Sequence, residues 1–272
     1  MKRVITGATG VALASASLAF AGAPAHSALG PNIHPSTGVH AGSGIGYSVS
    51  YNWSGYAADP GTIGDTGTFT SVVGKWQVPE ASCLGTPEEN HAFWVGMDGF
   101  ADSTVEQDGT FMLCNGVVAT YWAWWEMYPT NDIVEVYQVF PGDFMSGSVA
   151  YANGKFKLTI ADTTHKHSFT TTQKCGGGLV CARASAEWIG EDAGFGGSEG
   201  NLAEWTNKAG QQLLGFYAAF ATETGGKKIA MGLTTGLWWV GMVNSSDAYY
   251  LAYPYAPGNQ QQGFQDGWFA ES

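Results

Sequence analysis

Charge is scarce in this chain. Only 12% of its 272 residues are charged, about half the usual ~25%, and 11 Lys and Arg stand against 23 Asp and Glu. A net charge of −12 excludes the overall electrostatic footprint of a nucleic-acid binder or of a protein drawn to anionic membranes. No segment approaches ~18 unbroken apolar residues, so no spanning helix is expected. Cysteine is sparse too, at four residues, and no two are spaced as C-x-x-C, which argues against a zinc site. His-Glu-x-x-His, Gly-x-Ser-x-Gly and phosphate-binding loops are absent. Nothing points to a cofactor. Strong helical periodicity is scarce as well. Only Gln211 to Thr222 reads equally as helix or strand, because Gly215 and the aromatics blur its pattern.

The N-terminus has the pattern of an export signal. Lys2 and Arg3 precede a short apolar stretch, Val11 to Phe20, and small residues follow, with cleavage expected between Ala23 and Ala28. That predicts a secreted protein with a signal peptide at 1–28. Its removal leaves 9 basic residues against 23 acidic ones, a net charge of −14. Residues 29–48 are rich in Gly, Pro, Ser and His and read as a linker or short prosegment. Residues 49–272 suit one domain, with nothing to indicate an oligomer. In an exported chain four cysteines suggest two disulfides, with three possible connectivities. The favoured pairs are Cys175–Cys181, closing a loop over Gly176-Gly-Gly178, and Cys83–Cys114.

What the chain has in abundance is strand signal. Phe156, Leu158 and Ile160 alternate with Lys155, Lys157 and Thr159, and the dipeptides Asn115-Gly116 and Asn153-Gly154 favour tight type I′ hairpins. With glycine at 39 residues, the fold class predicted is all-β: an antiparallel two-sheet sandwich of concanavalin-like or jelly-roll type. A two-residue Asn115-Gly116 turn would pair Cys114 with Val117. Carried along the strands, that register sets Gln107 opposite Trp124 and places Glu126 diagonal to it, on the same face. Trp122, Trp124, Glu126 and Tyr128 share that face, which is too polar for a plain core and reads as the floor of a cleft.

Two side chains of the sequence suit proton chemistry. A carboxylate such as Glu187 can take a proton from water and return it to a leaving amine. An amide such as Gln107 offers N–H donors to an oxyanion at any pH. Together they form a complete set for amide hydrolysis without a metal. The surrounding motifs are Asn52-Trp53-Ser54-Gly55, Gly74-Lys-Trp76-Gln-Val-Pro79, Trp94-Val-Gly-Met-Asp98-Gly99, Glu106-Gln107-Asp108-Gly109, Trp124-Trp-Glu126-Met-Tyr128-Pro129 and Ala186-Glu187-Trp188-Ile189-Gly190-Glu191-Asp192. As an ordered set they resemble the glutamic peptidases, the eqolisin family of secreted acid endopeptidases.

The resemblance implies a polypeptide substrate, a catalytic pair Gln107 and Glu187, and a cleft lined by Trp53, Trp76 and Trp124. Asp98 and Glu126 would either orient Gln107 and water or satisfy backbone donors. The resemblance covers roughly residues 52–192. The chain departs from it where Trp122 stands in place of a frequent Asp, and little is recognisable after Gly194. The short stretch before Tyr51 cannot hold the long prosegment of fungal members and suits exported bacterial relatives better. Two other functions fit a sandwich of this kind. One is a glycoside hydrolase using Glu126 and Glu187; the other is a lectin-like module without chemistry. His165 and His167 would share a strand face as a possible metal pair, with no third ligand in view.

Overall fold

The computed structural model describes residues 45–60, 68–85, 89–100, 102–193 and 200–272, with the short strand Ile33–His34. The expected signal peptide and most of the expected linker lie outside the described residues. The described chain is mostly β-strand and forms two facing sheets and a small two-stranded one, Glu80–Ser82 with Glu204–Thr206. No helix among the described residues is long and apolar enough to cross a membrane.

The first sheet runs, in spatial order, Asn131–Gln138, Val118–Tyr128, Val105–Asn115, Glu89–Met97, Ala186–Glu191, Trp53–Ala58 and Leu237–Val243. The strand Gly46–Ser50 lies parallel to Leu237–Val243 and pairs on its other side with Ile33–His34. The second sheet runs His167–Gln173, Lys155–Asp162, Phe144–Ala152, Phe69–Gln77, then part of Leu213–Glu223 and Lys228–Ala230.

The ambiguous stretch is a strand, Leu213–Glu223, and it serves both sheets. Leu213 to Phe216 pair with Phe264–Trp268 of the first sheet, whereas Tyr217 to Glu223 pair with Phe69–Gln77 of the second. The register shifts between Tyr217 and Phe220, where Ala218 adopts φ 48°. A bulge at the changeover turns the strand from one layer to the other.

Strand alternation decides what lies between the layers. Tyr56, Phe93, Val95, Trp125 and Trp188 project from the first sheet to meet Val72, Trp76, Phe156 and Leu158 of the second. Burying each large side chain stabilises the fold by roughly 1.5–3 kcal/mol. Polar ties also cross the gap. The Trp76 indole donates to Thr110 Oγ1 at 2.9 Å, and Trp188 donates to the Val73 carbonyl at 2.9 Å. Asp108 Oδ2 accepts from the backbone N–H groups of Thr159 at 2.9 Å and Ser148 at 3.3 Å. Gly147 permits this approach, since a Cβ there would sit 2.5 Å from Asp108 Oδ1. Disulfides join Cys83 to Cys114 and Cys175 to Cys181.

Both Asn-Gly hairpins form, but by different turns. Asn153 and Gly154 have φ 53° and 74° between paired Ala152 and Lys155, the type I′ pattern. At the other hairpin Asn115 stays in the strand and pairs with Val118, leaving Gly116-Val117 as the loop. Gly116 alone has positive φ, 60°, which matches a II′ turn with glycine first. The register therefore moves by two residues from the expected one. The face is preserved, and Gln107 sits directly opposite Glu126 rather than Trp124. The two histidines do not share a strand face: His165 lies in the turn, and His167 opens the next strand.

Candidate active site

Four neighbouring strands of the first sheet place one row of residues side by side on its outer face. Glu187 pairs with Gly96, Gly96 with Gln107, and Gln107 with Glu126. Directly opposed residues project to the same side, so both carboxylates and the amide rise from one surface. Neighbouring strands lie about 4.8 Å apart, which separates the Glu187 and Gln107 backbones by about 10 Å. Gly96, on the strand between them, adds no side chain to the row. Even a methyl group there would come within 2.9 Å of the Trp94 ring and 3.2 Å of Gln107 Cβ.

Gln107 is held by its neighbour. Its Nε2 donates to Glu126 Oε2 at 2.6 Å, and Oε1 has no hydrogen-bond partner. The NH2 group carries two donors, so fixing the nitrogen on Glu126 leaves a second N–H for another acceptor. The row is sunk into the protein: Glu187 and Glu126 are 0% exposed and Gln107 2%. Around it, Trp53, Trp94, Val105, Trp124, Ile189 and Val240 form an apolar cluster separate from the intersheet core. Trp53 and Trp94 meet edge to face at 4.8 Å. Trp94 Nε1 donates to Glu191 Oε2 at 2.7 Å, anchoring this cluster four residues along the strand from Glu187.

Burial shapes the titration of the site. It drives the Glu187 carboxyl well above its ordinary 4.5, and the negative fields of Asp98, Asp102 and Asp59 add to the effect. Ser185 counters only part of it. Glu191 is pushed up to about 8 by burial, despite the indole donor.

Not every expected residue joins the row. Trp53 and Trp124 lie in the apolar cluster beside it on the same face. Trp76 does not line the cleft: it belongs to the second sheet, is 0% exposed and points into the intersheet core. Asp98 is also buried, but it grips backbone. It accepts from the N–H groups of Arg183 and Ala184, each at 2.7 Å, and fixes the chain that leads into the Glu187 strand. Gly96 and Glu191 were not singled out from the sequence, although both fall inside the quoted motifs. Trp238 was also missed. It pairs with Ala57, which pairs with Glu187, so it continues the same row, and it meets Phe100 at 5.7 Å. The Asp143, Asp162 and His165 cluster sits at a turn of the second sheet, away from this face, with His165 Nδ1 2.8 Å from Asp162.

The family model described as "Peptidase A4 family" matches residues 51–234. No curated protein matches the chain. Among solved structures, a scytalido-glutamic peptidase with a peptide-based transition-state analogue superposes with a TM-score of 0.66 at 19% identity, covering 80% of this chain and 98% of that one. A member of the eqolisin family, SCP-B, in complex with the tripeptide Ala-Ile-His, gives a TM-score of 0.64 at 18% identity with coverage of 80% and 98%. Aspergilloglutamic peptidase from Aspergillus niger gives 0.56 at 22%, covering 67% of this chain and all of that one.

Proposed function

The chain belongs to the peptidase A4 family and is a glutamic-type endopeptidase; from that premise we propose that Glu187 and Gln107 carry out peptide-bond hydrolysis in weakly acidic surroundings outside the cell. The observation that supports this reading is the row itself: a carboxyl and an anchored amide on one face of the sheet, with a glycine on the strand between them. The Glu187 carboxylate takes a proton from water, and the hydroxide adds to the scissile carbonyl. Electron density moves to the carbonyl oxygen, which accepts the free N–H of Gln107. The protonated Glu187 then gives its proton to the leaving amine as the C–N bond breaks. In a site this dry, a positioned donor acts on the developing charge with little competition from water.

Glu126 is a positioning residue in this reading. Its bond to Nε2 sets which end of the amide faces Glu126. The same contact disfavours a glycosidase, in which Glu126 would be free to act on a sugar. Two strands stand between Glu126 and Glu187 in the row, so their backbones are about 14 Å apart.

The pH range follows from burial. Glu187 must be ionised to act as base, and its raised pKa delays ionisation as pH increases. Activity is expected to climb above pH 4.5 rather than peak in strong acid. Gln107→Ala removes the oxyanion donor and is expected to lower kcat by ~10²–10³. Assay on a denatured protein substrate, with folding checked by circular dichroism, tests this. A Gln107→Ala enzyme with near-normal kcat would remove the amide from the mechanism.

A further inference from the structure

The strongly negative chain hides one positive face. All nine Lys and Arg residues beyond Lys2 and Arg3 are described, and seven of them lie on or at the ends of the second sheet's outer surface: Lys75, Lys155, Lys157, Lys228, and at its turns and strand ends Lys166, Lys174 and Lys227. The register orders this surface in rows. One row crosses six strands as Lys228, Thr222, Ser71, Ala150, Lys157 and Thr172. The next runs Phe220, Val73, Ser148, Thr159 and Thr170. A third runs Tyr217, Lys75, Ser146, Ala161 and Ser168.

No position in these rows is Asp or Glu, on a chain with 23 of them. The nearest acid, Asp108, is fully buried beneath the sheet on the backbone N–H groups of Ser148 and Thr159, and the others stand at the margins. Glu223 ends the shared strand, while Asp143 and Asp162 are buried at the His165 turn. Among the described residues no lysine is paired with a carboxylate. Lys155, Lys157 and Lys228 are exposed, and Lys228 lies over the Phe220 ring at 4.2 Å.

We propose that this face binds an anionic polysaccharide. Lys228 and Lys157 are four strand spacings apart, about 19 Å, which suits an extended polymer better than a small anion. Between them the row offers Thr and Ser hydroxyls, which exchange hydrogen bonds with sugar hydroxyls. The rows project no large apolar side chain suited to inserting into lipid, apart from Phe220 under Lys228 and Tyr217 at one corner. Because the catalytic row belongs to the opposite sheet, a molecule held this way keeps that sheet on the side away from the polymer.

The test is retention of the full chain on immobilised heparin at pH 5.5 and low salt, beside uncharged dextran. The comparison proteins are the fourfold variants K75E/K155E/K157E/K228E and, as a milder set, all four Lys→Gln. Wild type is expected to bind heparin and elute with salt, as a screened ionic contact must. The variants are expected to bind at least about tenfold more weakly while cleaving a soluble peptide at the wild-type rate. Wild type in the flow-through, or variants retained as well as wild type, would overturn the proposal. So would binding to anionic phospholipid vesicles without binding to heparin. Retention is read independently of turnover, so its outcome stands apart from that of the catalytic assignment.

Discussion

Glu187→Gln is expected to abolish turnover, leaving less than about 0.1% of the wild-type kcat, while the protein stays folded. Loss of a group that serves as base and then as acid removes both proton transfers, each typically worth ~10²–10⁴. The substitution is nearly isosteric, and it replaces a carboxyl that burial already holds largely protonated in acid. The intersheet core is on the other face of the sheet and is untouched. Purified variant and wild type should be compared by single-turnover cleavage and by thermal unfolding at pH 5. A variant with wild-type melting and more than a few per cent of wild-type turnover would show that Glu187 is not the proton-transfer group.

Raising the pH toward neutral is expected to unfold the protein. Burial lifts the carboxyl of Asp98 to about 6, Asp266 to about 7 and Glu191 to about 8, and drives Glu106, Asp108 and Glu187 upward as well. Among the described residues, no lysine or arginine side chain is paired with any of them. A carboxyl with a raised folded-state pKa favours the folded state fully below its unfolded value near 4. That advantage is lost as pH rises through the folded value. For Asp98, Asp266 and Glu191 the loss is on the order of 3–5 kcal/mol each, against a typical total stability of 5–15 kcal/mol.

Two groups act in the opposite sense. His91, enclosed by the Phe93 and Trp205 rings, is lowered to about 3 by burial and favours folding as pH rises toward 6.5. Asp162, lowered through its contacts with His165 and Thr164, favours folding above its own range. Six raised carboxyls outweigh these two. The melting temperature is therefore expected to fall steeply between pH 5 and 8. A melting temperature that is flat or rising across that interval would contradict the assignment of these carboxyls as buried and protonated.

Much of this molecule is legible in its residues, and the gaps have physical causes. The alternation at Phe156, Leu158 and Ile160 identifies a half-buried strand because period-two patterning has a direct structural meaning. The type II′ turn at Gly116-Val117 is harder to read, since either neighbour of that glycine could complete a two-residue loop. The choice moved the pairing by two residues and turned Glu126 from a diagonal neighbour of Gln107 into its direct partner. The motif around Trp76 does not reveal which sheet its strand joins, and the second sheet turns that indole into the core. The strand Gly46–Ser50 has little local signal because its parallel partner, Leu237–Val243, lies some 190 residues away. The lysine face is invisible to net charge, because only strand register gathers residues 71–75, 146–172 and 217–230 onto one surface.

The most direct test is the pH dependence of kcat/KM for cleavage of an unfolded polypeptide, measured from pH 3 to 7 with EDTA present and folding monitored in the same samples. The account predicts turnover that survives the chelator, rises with pH above 4.5 as Glu187 ionises, and then falls together with the folded signal. Full activity at pH 3, or activity lost on adding EDTA while the protein stays folded, would contradict a buried glutamate and an anchored glutamine as the catalytic pair.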